Sequence, residues 1–302
     1  QPGDPYDVLV IGGGLAGLTA AHHAALRGYR VASLDDGGHM GGLVMNIGKI
    51  AGYPAAGAVS GIALAAAQLE TILELGVDVL PERATGMACH GGVKIVTTDC
   101  VTYTAKAVVV ASGARLKSLD VPGAQALFGR GVSQCADCDA GFFADQDIVV
   151  VGGGDSALQE ALHLSDYVRK ITLVTRGDAL RAKQQYAARA ADNPKFEFRY
   201  STQVTEILGR DGVEGVRLAP AGGGTEELAC SGVFIFIGLA PNICALPDTI
   251  KRDADGFIVT DADFCTSVPG IYAVGAVRAG YCGQLASAVG EAASAVTGLR
   301  IH

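Results

Sequence analysis

One pattern occurs twice in this chain, 140 residues apart, and it limits the fold more than any other feature. Asp7-Val-Leu-Val-Ile11 runs into Gly12-Gly-Gly14-Leu-Ala-Gly17, and Asp147-Ile-Val-Val-Val151 runs into Gly152-Gly-Gly154-Asp-Ser-Ala157. Each copy reads as a short strand, a glycine turn and the start of a helix. A second apolar strand follows, Tyr29 to Leu34 in the first copy and Ile171 to Val174 in the second. Strands apolar at every position belong in a parallel sheet covered on both faces. In such a turn the first glycine permits the bend and the second lets backbone approach a pyrophosphate. The third lets helix and strand pack closely. The helix N-terminus then offers N–H donors and the positive end of its dipole to phosphate. The expected fold is α/β, with two Rossmann-like three-layer nucleotide-binding domains.

The copies differ where a ribose would be read. Asp35, with Asp36 beside it, closes the second strand of the first copy, and an acid there suits a free ribose 2′-hydroxyl. The corresponding position of the second copy is Thr175, followed by Arg176 and, five residues on, Arg181. Cations there suit a 2′-phosphate. The first site (Gly12, Gly14, Gly17, Asp35, Asp36) is therefore expected to take an unphosphorylated ribose, as in FAD. The second (Gly152, Gly154, Arg176, Arg181) is expected to prefer NADPH.

Just ahead of the second turn stands Cys135-Ala-Asp-Cys138-Asp139. Two cysteines at this spacing can close a disulfide in a tight turn, with one thiolate stabilised over its neighbour. Asp139 is placed to move a proton. A redox pair ahead of a dinucleotide site suggests electron transfer from a nucleotide towards sulfur. The other six of the eight cysteines are dispersed, so the chain is not a disulfide scaffold, and no second ligand pair suggests a zinc site. Cys282 reads most simply as a small apolar side chain. Net charge is −8 without a long basic run, which argues against nucleic acid. No apolar run is long enough to span a bilayer, and no basic-then-apolar leader opens the sequence. A cytoplasmic enzyme is expected, with no membrane partner.

The two copies lie in an interrupted order. Residues 1–114 and 242–302 are expected to form one discontinuous domain binding FAD. Residues 115–241 form an inserted domain carrying the NADPH site and the C-x-x-C, and the two crossings are candidate hinges. Separate strands are expected at Val101–Thr104 and Val108–Ala114, and one strand-like stretch over Glu197–Leu208. Gln284 to Val296 reads as a helix of small residues.

With these motifs in place, the chain resembles the low-molecular-weight thioredoxin reductase family over nearly its whole length. The segments that match are Gly12–Gly17, Gly41-Gly42 to Tyr53-Pro54, Ala111-Ser-Gly-Ala114, Cys135–Asp139, Gly152–Ala157, Ile237-Gly238 to Pro241-Asn242 and Gly283-Gln284-Leu285. The resemblance implies that NADPH reduces FAD and that the flavin reduces the disulfide. It implies that Cys138 faces the flavin, Cys135 attacks the substrate, and Asp139 serves as general acid and base. It adds Gly42, Asn46, Ala111, Gly113, Gly275, Gln284 and Leu285 to the FAD contacts, and Asp155 and Ser156 to those of NADPH. The implied partner is a thioredoxin-like protein or a small disulfide, and the implied assembly is a homodimer.

Three departures from the family pattern stand out. Ala276 replaces an acid expected beside the flavin ribityl–phosphate region. Thr175-Arg176-Gly177 replaces a run with two adjacent cations. Gln134 stands where an aromatic often precedes the first cysteine. Two alternatives stay open on the residues: a dithiol oxidase passing electrons to O₂, and a reductase with a donor other than NADPH.

Overall fold

The structure is a computed structural model that describes residues 4–36, 40–48, 50, 53, 59–243 and 246–301. Pro54 of the Tyr-Pro pair, Cys244, His39, His302 and the first three residues lie outside the described residues. The chain divides into two compact units, Gln1–Arg115 with Ala240–His302, and Leu116–Leu239.

In the first unit β1 (Tyr6–Ile11), α1 (Leu15–Leu26) and β2 (Val31–Leu34) make the first βαβ copy. The helix α2 (Gly61–Glu74) opens on Ser60, whose hydroxyl accepts the Ala63 N–H at 3.2 Å, the usual role of an N-cap serine. It leads to β3 (Asp78–Leu80) and then to β4 (Ala84–His90), β5 (Val93–Thr98) and β6 (Thr102–Val110). The sheet order is β3-β2-β1-β6-β5-β4, parallel from β3 to β6 and antiparallel through β6, β5 and β4. The two strands expected at 101–104 and 108–114 are one strand, β6. Ala105-Lys106-Ala107 continues the extended backbone because it pairs with β5 on one side and β1 on the other.

The chain leaves this unit through β7 (Ala114–Leu116) and enters the second. There β8 (Val132–Ser133), the one-turn helix α3 (Ala136–Asp139), β9 (Asp147–Val151), α4 (Asp155–Leu164) and β10 (Lys170–Val174) follow in order. Next come α5 (Gln184–Ala191), β11 (Phe196–Arg199), β12 (Thr202–Gly209), β13 (Val213–Pro220), β14 (Glu226–Ala229) and β15 (Gly232–Ile235). A five-stranded parallel sheet runs β11-β10-β9-β15-β8, and β12-β13-β14 form an antiparallel meander. The stretch read as continuous over 197–208 is two strands in different sheets. Ser201 separates them with φ of +46°, a left-handed turn that no pairing strand sustains. The return crossing, β16 (Leu239–Pro241), pairs with β7 as a two-stranded ribbon. Back in the first unit, β17 (Ile271–Ala273) adds in parallel to the end of β6, and α6 (Leu285–Thr297) packs against α1.

Both glycine-turn strands feed two cores. Val8 and Val10 belong to the helix-covered core with α1 and α6, whereas Leu9 and Ile11 belong to the core on the opposite face. Ile148 and Val150 pack with α4, and Val149 and Val151 pack under the meander. Successive strand side chains point to opposite faces, so an unbroken apolar run serves both layers. Each such side chain contributes about 1.5–3 kcal/mol on burial.

Candidate redox and nucleotide sites

At the first turn Gly12 has φ of +110°, and a Cβ there would collide with the Ala111 carbonyl. A Cβ at Gly17 would collide with the Gly12 carbonyl, so α1 sits directly on the turn. Gly14 is the N-cap of α1 with no side-chain cap and no acid in the first helical turn. Its Cβ position is open, the nearest atom being the Gly41 carbonyl oxygen at 3.9 Å. The Gly41 N–H donates to the Gly13 carbonyl at 2.7 Å. Gly42, at φ of +59°, lies so close that a Cβ on it would stand 3.1 Å from the Gly14 Cα. Three glycines thus leave the first N–H groups of α1 without a side-chain cap and the Cβ position of Gly14 open.

Asp35 reaches back over the turn, and its Oδ2 accepts the Gly13 N–H at 2.5 Å. Beside it is a groove of about 330 Å³ lined by Met40, Met45, Ile62, Leu69, Val79 and Pro81 among others. An adenosine diphosphate moiety fits this set: apolar walls for a base, a carboxylate for ribose hydroxyls, and free N–H donors for phosphate. Asp36 turns the other way, to Arg83 Nε at 2.9 Å. Asn46 ends the 3₁₀ turn Gly42–Asn46 and is exposed.

Ala111, Ser112 and Gly113 follow β6 and meet the return crossing. The Ser112 hydroxyl donates to the Asn242 carbonyl at 2.5 Å, and the Asn242 side-chain amide donates to the Ser112 carbonyl at 3.0 Å. Gly113 has φ of +70°. Gly275, also at φ of +70°, packs on Ala16 of α1. Gln284 caps α6 without a side-chain bond, and Leu285 packs on the small core that holds Val44 and Ile50. The Tyr281 hydroxyl, whose pKa burial pushes up to about 12, donates to the Gln284 carbonyl at 2.8 Å.

The sequence reading missed what holds Gly275. Glu291, only 7 % exposed on α6, accepts the Gly275 N–H at 2.8 Å through Oε2. The same carboxylate takes Arg278 Nε at 3.1 Å, Arg278 Nη2 at 2.6 Å and the Ser287 hydroxyl at 3.1 Å. Ala276, where the resemblance expects an acid, is half-buried in the short turn this ion pair fixes.

In the second unit the turn repeats with different neighbours. Gly152 has φ of +143°, and a Cβ there would collide with the Phe236 carbonyl. Gly154 caps α4 with no side-chain bond and with nothing within 4 Å of its Cβ position. Asp155 is engaged by the Lys183 N–H at 2.7 Å, and Ser156 is exposed. The Arg181 N–H donates to the Gly153 carbonyl at 2.8 Å, which lays the Arg181 segment along the turn. Arg176 and Arg181 are both exposed, and neither makes an ion pair among the described residues.

Cys135 and Cys138 form a disulfide across α3, with Cα atoms 5.3 Å apart. Cys135 is the N-cap, and its Sγ accepts the Cys138 N–H at 3.2 Å. Ser133 is the second residue that sequence reasoning overlooked. It is 4 % exposed, accepts the Cys135 N–H at 3.0 Å and donates to Asp139 Oδ2 at 2.5 Å. Asp139 is therefore held by a hydroxyl that also binds the Cys135 backbone. Gln134 donates to the Lys117 carbonyl at 2.9 Å. Phe142 follows this turn at 77 % exposure. The only signal for Ser133 was its place two residues before the first cysteine. Cys89, Cys100 and Cys282 are exposed thiols, and burial pushes the Cys230 thiol up to about 12, which keeps it inert. No metal-binding cluster occurs among the described residues.

Residues 6–292 match the family described as pyridine nucleotide-disulphide oxidoreductase. Thioredoxin reductase of Treponema pallidum is 37% identical over 292 residues, covering 96% of this chain and 94% of that protein. The crystal structure of Lactococcus lactis thioredoxin reductase superposes with a TM-score of 0.91 at 36% identity, covering 97% of each chain. That of T. acidophilum thioredoxin reductase gives 0.88 at 32% identity, again with 97% of each covered. Two nucleotide turns, a C-x-x-C disulfide beside the second, and this likeness along almost the whole length lead to one assignment: the chain belongs to the pyridine nucleotide-disulphide oxidoreductases, as a member of the low-molecular-weight thioredoxin reductase family.

Proposed function

We propose that this oxidoreductase carries electron pairs from NADPH, by way of FAD held in the first unit, to the Cys135–Cys138 disulfide and on to a thioredoxin-like protein or a small disulfide. The observation that carries the reading is the redox turn, in which a C-x-x-C disulfide is backed by Asp139 and Asp139 is oriented by the buried Ser133. Residues 1–114 and 242–302 serve as the FAD domain and 115–241 as the NADPH domain. When bound, FAD relays electron pairs between a nicotinamide and sulfur. Gly12, Gly14, Gly17 and Gly42 leave room for its pyrophosphate, and Asp35 meets its ribose. Ala111, Gly113, Gly275, Gln284 and Leu285 border the flavin end. Gly152, Gly154 and Ser156 receive the pyrophosphate of NADPH, with Arg176 and Arg181 on its 2′-phosphate.

The sulfur chemistry follows from the geometry of α3. Two electrons and two protons convert the disulfide to two thiols. A Cys135 thiolate keeps the Cys138 N–H as a donor, which favours it as the attacking sulfur. It attacks the substrate disulfide and expels one substrate thiolate. Cys138 then closes the ring again and releases the second. Asp139 takes up and returns the proton that each exchange displaces, and Ser133 keeps its carboxyl aimed at the pair. Phe142 gives a protein partner an exposed apolar contact beside the disulfide. The same reading makes the enzyme a homodimer of the cytoplasm. Five of the described cysteines are free thiols, the pattern of a reducing compartment.

The test is anaerobic stopped-flow absorbance of FAD-loaded protein mixed with NADPH and, separately, with a dithiol. Bleaching of the flavin band by NADPH faster than about 1 s⁻¹, the low end of ordinary turnover, supports the reading. A flavin that NADPH leaves oxidised while a dithiol bleaches it and air restores it would overturn it.

A further inference from the structure

Helix α4 touches the redox turn as well as the second glycine turn. Its N-terminus is the open cap at Gly154, and six and nine residues further on it carries Glu160 and His163, towards α3. His163 Nε2 lies 3.2 Å from Oδ1 of Asp137, one of the two residues between the cysteines. Glu160 faces the N–H of Ala136, the other. Both members of the C-x-x-C interior thus face side chains of the same helix, at positions three apart.

The charges around the disulfide are lopsided. Asp137 and Asp139 project from α3 itself, and Glu160 comes from α4. Burial first, and then the Asp137 carboxylate, hold the Glu160 carboxyl above its ordinary range. Ser133 from β8, which is neutral, also faces the turn, and the Tyr167 ring lies tilted against that of His163 with centroids 5.4 Å apart. His163 is the nitrogen base seen on Asp137 among the described residues. Reduction of the pair creates thiolate character at Cys135, and the Asp137 carboxylate two residues on opposes it. A cation on that carboxylate removes the opposition.

We propose that His163 is a positioning residue for the redox pair: when protonated, it pairs with Asp137, offsets that carboxylate of the C-x-x-C interior and raises the reduction potential of the Cys135–Cys138 couple. The inference rests on the redox role proposed above. The couple is the disulfide gaining two electrons and one proton to give the Cys135 thiolate and the Cys138 thiol; in the test dithiothreitol is the reductant, its cyclic disulfide is the product, and its second proton goes to the buffer. The pair is exposed, with side-chain accessibilities of 37% and 46%, so the effect is bounded by that of a solvent-screened ion pair, up to about fivefold in an equilibrium constant.

The experiment uses the full-length FAD-loaded protein at about pH 6, below the ordinary imidazole value, equilibrated anaerobically across dithiothreitol buffers of graded reduced-to-oxidised ratio. The free thiols are alkylated, and the peptide carrying Cys135 and Cys138 is weighed. His163→Phe is expected to lower the equilibrium constant for reduction by about threefold, or ~14 mV at about 30 mV per tenfold. The shift should fade at high salt, because an exposed pair is screened. In an Asp137→Asn background the same substitution should move the constant by less than half as much. An equal shift in both backgrounds, or no shift in either, overturns the proposal. Asp137→Asn alone, with the charge gone and the imidazole kept, should not fall below the unaltered protein, and a fall also overturns it. A pair that no buffer reduces would instead sink the redox reading itself, and the tuning role with it.

Discussion

The two glycine turns share a backbone and differ in what surrounds it. Gly12 and Gly152 both take left-handed φ values, +110° and +143°, and each would strike a carbonyl if it carried a Cβ. Past that point they diverge. In the first unit the third position is Gly17, pressed onto the Gly12 carbonyl. In the second it is Ala157, whose own Cβ is fully buried and lies 2.9 Å from where a Gly152 Cβ would be. The first turn is roofed by Gly41 and Gly42, whereas Gly154 has nothing above its Cβ position. The first turn has a carboxylate bonded to its second glycine, whereas the second has the Thr175 hydroxyl beside Gly153. A covered, carboxylate-braced cradle suits a cofactor that stays. An open cradle edged by exposed cations suits a co-substrate that binds and leaves at each turnover.

The largest effect should come from the third position. Gly17→Ala puts a methyl into the Gly12 carbonyl, and α1 cannot retreat without unpacking from α6. Stability should fall by about 3 kcal/mol or more, with loss of bound flavin, as read from urea midpoints and flavin-to-protein absorbance. The reverse change in the second unit, Ala157→Gly, should cost only about 1 kcal/mol, the helix propensity difference, and should leave the flavin in place. Similar losses from both would show that the two helices approach their turns equally closely. Asp35→Asn comes next. It keeps the shape but removes a charged acceptor worth about 1.5–3 kcal/mol, so FAD retention on dilution should weaken roughly 10- to 100-fold. Arg176→Ala should raise KM for NADPH by about tenfold and leave that for NADH unchanged if the exposed guanidinium serves the 2′-phosphate as proposed.

Much of this was legible because the strongest constraints are local. A glycine that must hold φ above +100° and an apolar run of five or six residues are visible without knowing what packs on them. The helix and strand order around both turns followed from that. Contacts set by tertiary structure were not visible. Arg278 and Glu291 are 13 residues apart, and Glu291 sits in a helix that reads as a stripe of small residues. Nothing in the string marks that carboxylate as buried. Ser133 gains its meaning only once α3 folds Asp139 back towards it. Asp35 and Asp36 are indistinguishable as letters, and the strand pleat decided between them, sending one to Gly13 and the other to Arg83. The short strand β4 escaped notice because Thr85-Gly-Met-Ala-Cys-His90 has no apolar alternation, and it is held in place by pairing with β5.

The smallest predicted effect tests the comparison most directly. If positions 35 and 175 are equivalent, the acid should be transplantable. The Asp35 Oδ2 lies 2.9 Å from the Cβ position of Gly13, and the Thr175 Oγ1 lies 2.7 Å from that of Gly153. Both side chains therefore stand over the second glycine of their turn. Thr175→Asp should accept the Gly153 N–H as Asp35 accepts that of Gly13, and should offer its other oxygen to a ribose 2′-hydroxyl. A 2′-phosphate would meet a like charge instead. Arg176 is adjacent and exposed, so it offsets part of that repulsion and keeps the effect small. We expect kcat/KM to fall about threefold with NADPH and to rise about threefold with NADH, each ~0.7 kcal/mol, within the range of solvent-screened charge contacts. Adding Arg176→Ala should enlarge the gap between the two nucleotides, because the offsetting cation is gone. If NADH gains nothing in either variant, residue 175 does not reach the ribose, and the two turns are alike in backbone alone.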